Sequence, residues 1–115
     1  MWLRDYHFDG LRLDAVHAYM DRSAINFMEQ LGAEVDALEA HTGRRYVVIA
    51  ESDLNDPRLV TAREAGGYGL DAQWSDDFHH ALVTVLTGDR SGYYVDFGSL
   101  ADLAKSCLLY TSRCV

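Results

Sequence analysis

The strongest constraint on this chain is one short run, Tyr46-Val-Val-Ile-Ala50, which is apolar throughout and rich in β-branched residues. A strand with one wet face alternates polar and apolar side chains. An unbroken apolar run reads as a strand covered on both faces, the usual situation in parallel sheets. Parallel neighbours cannot be joined by tight turns and need long crossovers, usually helical.

The sequence supplies those crossovers. From about Ser23 to His41, Ile25, Met28, Leu31, Val35 and Leu38 recur at three- and four-residue steps, the stripe of an amphipathic helix. Ser23 or Asp21 is placed to cap its start and Gly43 to close its end. Upstream, Phe8-Asp-Gly-Leu-Arg-Leu-Asp14 sets Leu11 and Leu13 against Arg12 and Asp14, a period of two. Gly10 in that strand suggests a bulge or a close backbone approach. Thr61 to Ala65 is a candidate short helix. Leu70-Asp-Ala-Gln-Trp74 reads as a third strand, and Ser75 caps a second helix in which Phe78, Ala81, Leu82, Val85 and Leu86 form the apolar face up to Gly88. Tyr93 to Phe97 is loop or short strand, and another helix begins at Leu100. Strands alternating with helices predict an α/β chain with a parallel sheet and right-handed crossovers.

Composition removes several functions. The formal net charge of −8 argues against binding a phosphate backbone, which needs clustered Lys and Arg. No apolar run approaches the roughly 20 residues of a membrane span, and no secretory signal pattern opens the chain. Both cysteines, Cys107 and Cys114, fall in the last nine residues, so the body of the chain has no disulfide framework, thiolate metal site or cysteine nucleophile. Asp76 and His80 lie one helical turn apart, but no third ligand has suitable spacing. No metal and no cofactor are expected.

Asp14 and Glu51 each close a predicted strand at its C-terminal end, the edge where α/β folds place active sites. Neighbouring strands lie about 4.8 Å apart. Carboxyl groups at two such ends approach the separation of about 5–5.5 Å used by retaining glycosidases. That chemistry needs one carboxyl ionised and one protonated. Arg12, on the same strand face as Asp14, would keep Asp14 ionised and oriented. Asp14 is therefore the candidate nucleophile and Glu51, after an apolar strand, the candidate acid/base. Carboxylates at strand ends also cap helices or form structural ion pairs. His17 alone reads as a hydrogen-bonded structural histidine. Trp74, Asp77 and His79 read as a sugar-binding rim, or Asp76 and Asp77 simply favour a helix N-terminus.

These residues also carry a resemblance. Phe8-Asp-Gly-Leu-Arg-Leu-Asp-Ala-Val-His-Ala18 resembles the nucleophile strand of the α-amylase superfamily, and Ile49-Ala-Glu-Ser-Asp53 its acid/base strand. Three stretches resemble the malto-oligosyltrehalose trehalohydrolase family within it: Asp14–Ala18, Ala50–Arg58 and Gly69–Ala81. Leu86–Arg90 and Gly92–Gly98 fit as well. The resemblance implies part of a (β/α)8 TIM barrel, about strands four to six with their helices. It implies hydrolysis of the α-1,4 bond beside a terminal trehalose unit, with a malto-oligosaccharide substrate, no nucleic acid, no membrane and a cytoplasmic setting. By position Asp14 matches the nucleophile, Glu51 the acid/base and Arg12 the nucleophile's partner. His17 and Asp53 fall with Trp74, Asp77 and His79 on the substrate side. The superfamily's further Asn-His-Asp motif does not occur here, so the chain alone is expected to be inactive and poorly soluble. The alternatives are a branching or debranching enzyme of the same superfamily, and a non-catalytic carbohydrate-binding domain.

The last nine residues, Cys107-Leu-Leu-Tyr-Thr-Ser-Arg-Cys-Val115, break the preceding pattern. One permitted codon spelling of them is an inverted repeat followed in frame by a stop, and it resembles a transposase end sequence from sequencing libraries. The expectation is a partial catalytic barrel domain over 1–106 and a translated adapter over 107–115.

Overall fold

A computed structural model describes residues 1–109. Most of the expected foreign tail, residues 110–115, lies outside the described residues. Three strands, β1 (Gly10–Leu13), β2 (Val47–Ser52) and β3 (Ala72–Ser75), form one sheet in that order. Both pairings are parallel, with Leu13 opposite Ala50 and Glu51 opposite Trp74. Helix α1 (Phe27–Thr42) joins β1 to β2, α2 (Asp76–Thr87) follows β3, and α3 (Leu100–Leu109) packs on α2. The connection from β2 to β3 is not a long helix but two 3₁₀ turns, Pro57–Leu59 and Arg63–Ala65.

The close approach expected at Gly10 is present. A Cβ there would stand 2.4 Å from the carbonyl oxygen of Val47, so only glycine lets β1 lie this near β2. The alternation of β2 separates its two faces. Tyr46, Val48, Ala50 and Ser52 are buried beneath the helices with Leu3, Val16, Met28, Val35, Leu59 and Leu70. Val47, Ile49 and Glu51 point to the other face, which is only partly covered. Gln73, in register with Ala50, is 2% exposed, and neither amide atom has a partner among the described residues.

Two apolar stripes need correction. Helix α1 begins four residues later than the spacing suggested, at Phe27, because Asn26 caps it: its side chain accepts from the Met28 N–H at 2.9 Å. Asp21 instead accepts from Ser23 and Phe27 N–H groups, which hold its carboxyl below the usual carboxylate range, the Ser23 hydrogen bonds first. Ile25 therefore precedes the helix and is 51% exposed. In α2, Ser75 caps as expected, accepting from Phe78 N–H at 3.2 Å. Leu86 is exposed, and the buried positions are Ala81 and Thr84. Thr84 tolerates burial because its hydroxyl donates to the His80 carbonyl at 2.8 Å.

Candidate active site

The site forms where the parallel strands end. Leu13 pairs with Ala50, so Asp14 leaves β1 level with Glu51, still inside β2. Arg12 reaches both acids. Its Nη1 donates to Asp14 Oδ1 at 2.7 Å, and its Nη2 lies 3.8 Å from Glu51 Oε2. The two carboxylates differ in solvation: the Asp14 side chain is 79% exposed and that of Glu51 is 18%. The guanidinium thus belongs to the pair, not to Asp14 alone, as the two-residue spacing had suggested.

Trp74, opposite Glu51 in the register, stands on the same face. Its ring centroid is 6.0 Å from the Arg12 guanidinium carbon, within cation–π range. His17 and Asp53 come from different loops and meet each other, Nδ1 to Oδ1 at 3.4 Å. Beside them lies a cavity of about 240 Å³ lined by Val16, His17, Asp21, Asn26, Ser52 and Arg58, among others. Arg12, Asp14 and Glu51 do not line it.

Other expected rim residues turn away. Asp77 accepts from the Asn55 amide at 2.7 Å, tying the start of α2 to the loop after β2. His79 is exposed, with its ring 5.4 Å from that of His80. Neither makes a hydrogen bond or ion pair with Arg12, Asp14 or Glu51 among the described residues.

Two residues at the site go beyond the sequence reading: Ala15, which it did not single out, and Asp76, which it read only as a helix-terminus acid or as a metal ligand lacking a third partner. The backbone N–H of Ala15 donates to Glu51 Oε2 at 2.7 Å. It can do so because Ala15 adopts the left-handed conformation, φ 46° and ψ 48°, unfavourable for an L residue by about 1–2 kcal/mol. An alanine gives no sign of this in a sequence. Asp76, the first residue of α2, stands near enough to Glu51 for that charge to act on it. Burial pushes its carboxyl up, followed by the charge of Glu51 and a hydrogen bond to it, while His80 acts in the opposite direction. The register of Trp74 with Glu51 and the Ser75 cap place the next residue at this C-terminal edge of the sheet.

The arrangement is a carboxylate pair bridged by one arginine at the C-terminal edge of a parallel sheet. Known proteins match this chain by sequence and by fold. A malto-oligosyltrehalose trehalohydrolase of Arthrobacter ramosus is 59% identical over 104 residues, 90% of this chain and 18% of the relative. The protein of that name from Mycobacterium tuberculosis is 55% identical over 103 residues, again 90% and 18%. This chain is similar to malto-oligosyltrehalose trehalohydrolases over about nine-tenths of its length. It spans about 18% of the length of these curated relatives. No family model matches the chain.

A crystal structure from Salmonella typhimurium described as an alpha amylase superposes with a TM-score of 0.72 at 31% identity, covering 91% of this chain and 18% of that one. The three-strand parallel sheet is therefore a fragment of a (β/α)8 barrel. A more distant relative, a 1,4-alpha-glucan branching enzyme of Myxococcus xanthus, is 31% identical over 76% of this chain and 14% of its own length. Trehalohydrolase relatives thus match at far higher identity than this branching enzyme.

Proposed function

We propose that a protein carrying this stretch hydrolyses the α-1,4 bond next to a terminal trehalose unit of a malto-oligosaccharide, with retention of configuration. The observation that carries this reading is the arginine-bridged pair Asp14–Arg12–Glu51 at the C-terminal strand edge. The identity to relatives named for that activity supports the substrate assignment.

In this mechanism Asp14 Oδ attacks the anomeric carbon as the glycosidic C–O bond breaks. Glu51 gives its proton to the leaving oxygen. The sugar is then held on Asp14 as an ester, until water attacks the same carbon, its proton passes to Glu51 and the Asp14 carboxylate is released. Arg12 orients Asp14, while burial and the Ala15 N–H fix Glu51. Trp74 offers the apolar face of the sugar a ring beside the reacting atoms. His17 and Asp53 act as one substrate-side pair. Asp77 and His79 belong to the rim only where a bound oligosaccharide extends over the start of α2. The partner is an oligosaccharide, not nucleic acid or membrane. No described helix is long and apolar enough to cross a membrane. A cytoplasmic setting suits a pathway acting on stored glucan.

The test is to express the full reading frame containing these codons and incubate the product with maltooligosyltrehalose. Free trehalose and a shortened maltodextrin are the expected products. New α-1,6 branches without trehalose would instead favour the branching reading. For the chain ends, we infer a partial barrel domain over 1–106 and a translated adapter over 107–115. Sequencing the source DNA without transposase-made libraries should remove the tail; its return would overturn the inference.

A further inference from the structure

The cavity beside His17 and Asp53 lies behind the sheet edge that carries the carboxylate pair. Ser52, in its wall, shares the helix-covered face of β2 with Val48 and Ala50, whereas Glu51 points to the opposite face. The loop after β1, the start of α1 and the loop after β2 close around a volume of about 240 Å³. That is below the roughly 300–1,000 Å³ of pockets that enclose drug-sized ligands, and it suits one small ring.

The polar groups of this cavity are each only half used. Ser52, 1% exposed, accepts the Leu54 N–H at 3.1 Å, and its own O–H has no acceptor among the described residues. Asn26 spends its oxygen on the Met28 N–H at 2.9 Å, which leaves its amide NH2. Arg58 gives Nε and Nη2 to Asp56, and its guanidinium carbon lies 5.8 Å from the Tyr68 ring centroid, so Nη1 is spare. His17 turns Nδ1 to Asp53 at 3.4 Å; a proton held there leaves Nε2 as an acceptor. Asp21 accepts one backbone N–H on each oxygen and keeps a lone pair on each. Unspent donors and acceptors are thus mixed around apolar Met28 and Leu59, which are 5% and 3% exposed.

We propose that this cavity binds one glucosyl ring, at a site separate from the catalytic face of the sheet. Hydroxyl groups both donate and accept, so a pyranose can use the mixed set while its C–H face rests on Met28 and Leu59. An anion is disfavoured. The charge of Arg58 is matched by Asp56, and the Asp21 carboxylate already occupies the N-terminus of α1, where an anion would bind. That the ring is glucosyl rests on the reading of the protein as a glucan hydrolase; the polyol chemistry of the cavity does not. The ring comes either from a remote unit of the oligosaccharide in the catalytic site or from a second sugar molecule.

Met28 supplies a local probe. The full-length protein, isotope-labelled in its methionine methyl groups and carrying Glu51→Gln to suppress turnover, is titrated in the NMR tube with methyl α-glucoside, with maltotetraose and with inorganic phosphate. Met28→Leu assigns the signal. The Met28 methyl signal should shift saturably with both sugars and stay in place with phosphate. Arg58→Leu, at a side chain 63% exposed, removes a charged donor without touching the core and should weaken the sugar response roughly tenfold. Given that dependence on Arg58, a shift that follows maltotetraose occupancy of the catalytic site assigns the ring to the substrate chain, and a separate transition assigns it to a second sugar; both support the site. An unmoved Met28 signal, a sugar response unchanged by Arg58→Leu, or a shift with phosphate alone would overturn the proposal. Failure of the hydrolase reading is seen separately, as wild-type protein that releases no trehalose while the Met28 titration remains readable.

Discussion

The two ends of the sheet are built from the same residue types and use them in opposite ways. At the N-terminal end every acid is matched. Asp9 pairs with Arg44 at 2.9 Å. Glu39 accepts the Tyr46 N–H at 2.7 Å and lies 3.4 Å from Arg45. Asp71 accepts the Val48 N–H at 2.9 Å and lies 3.2 Å from the same Arg45. At the C-terminal end Asp14 and Glu51 share Arg12, Asp53 faces His17, and Asp76 feels the charge of Glu51. The first end satisfies backbone groups that strand pairing leaves open. The second holds negative charge in excess of its cations, which costs stability and leaves acids available for chemistry.

The largest expected effect separates the two ends by activity. In the full-length protein, Glu51→Gln removes the proton donor and should lower kcat/KM on the oligosaccharide by about 10²–10⁴-fold. Its melting temperature should hold or rise. Glu39→Ala makes the reverse trade, because it leaves the Tyr46 N–H without its acceptor beside a buried ring. The cost should be roughly 1–3 kcal/mol of stability, with kcat/KM unchanged. Denaturant melts and initial rates on both variants check this. Equal activity losses would show that the ends are not divided in this way.

The next effect is in pH dependence. Burial, with the charge of Glu51, pushes the Asp76 carboxyl up. A carboxyl raised in the folded state binds protons more readily there than in the unfolded chain. Ionising it therefore opposes folding once the pH exceeds the ordinary aspartate value of about 3.9. Asp76→Asn removes that penalty and should be more stable than wild type at neutral pH. The advantage should vanish in acid, where Asp76 is protonated in both states. Melting temperatures at pH 3 and pH 7 read the sign. At the matched end the expected contrast is Arg45→Ala. Arg45 is 74% exposed, and surface pairs of this kind contribute about 0–1 kcal/mol, weakly dependent on pH over the same range.

Much of this division was legible in the sequence, and the reason is periodicity. An apolar run at Tyr46–Ala50 and polar–apolar alternation at Leu11–Asp14 fix strand order and the positions of Asp14, Arg12 and Glu51, because strand ends are set by where the pattern stops. What escaped depends on contacts that no period encodes. Asn26 caps α1 although Ser23 and Asp21 are equally good capping types, and the choice follows from how Asp21 folds back onto Ser23 and Phe27. Leu86 keeps helical phase with Leu82 yet is exposed, because the buried side of α2, marked by Ala81 and Thr84, is decided in part by where α3 packs. Asp77 and His79 share a motif with Trp74, but successive helical residues point about 100° apart, so they cannot all face one sugar.

Ala15 carries the smallest expected effect and the sharpest test of whether strain is localised at the C-terminal end of the sheet. Among the described non-glycine residues only His7, Ala15 and Asn55 have positive φ, and Ala15 alone uses it to present an N–H to Glu51. Glycine adopts this conformation without the Cβ clash, so Ala15→Gly relieves about 1–2 kcal/mol in the folded state. Glycine also gives the unfolded chain more freedom, which offsets roughly 0.4–1 kcal/mol. The net expectation is a gain of about 1 kcal/mol or less, a shift of a few degrees at most in a melt. The hydrogen bond to Glu51 survives because it comes from the backbone, so kcat/KM should stay near wild type. A clear loss of activity with a gain in stability would mean that the alanine methyl itself, by restricting the turn, holds Glu51 in place.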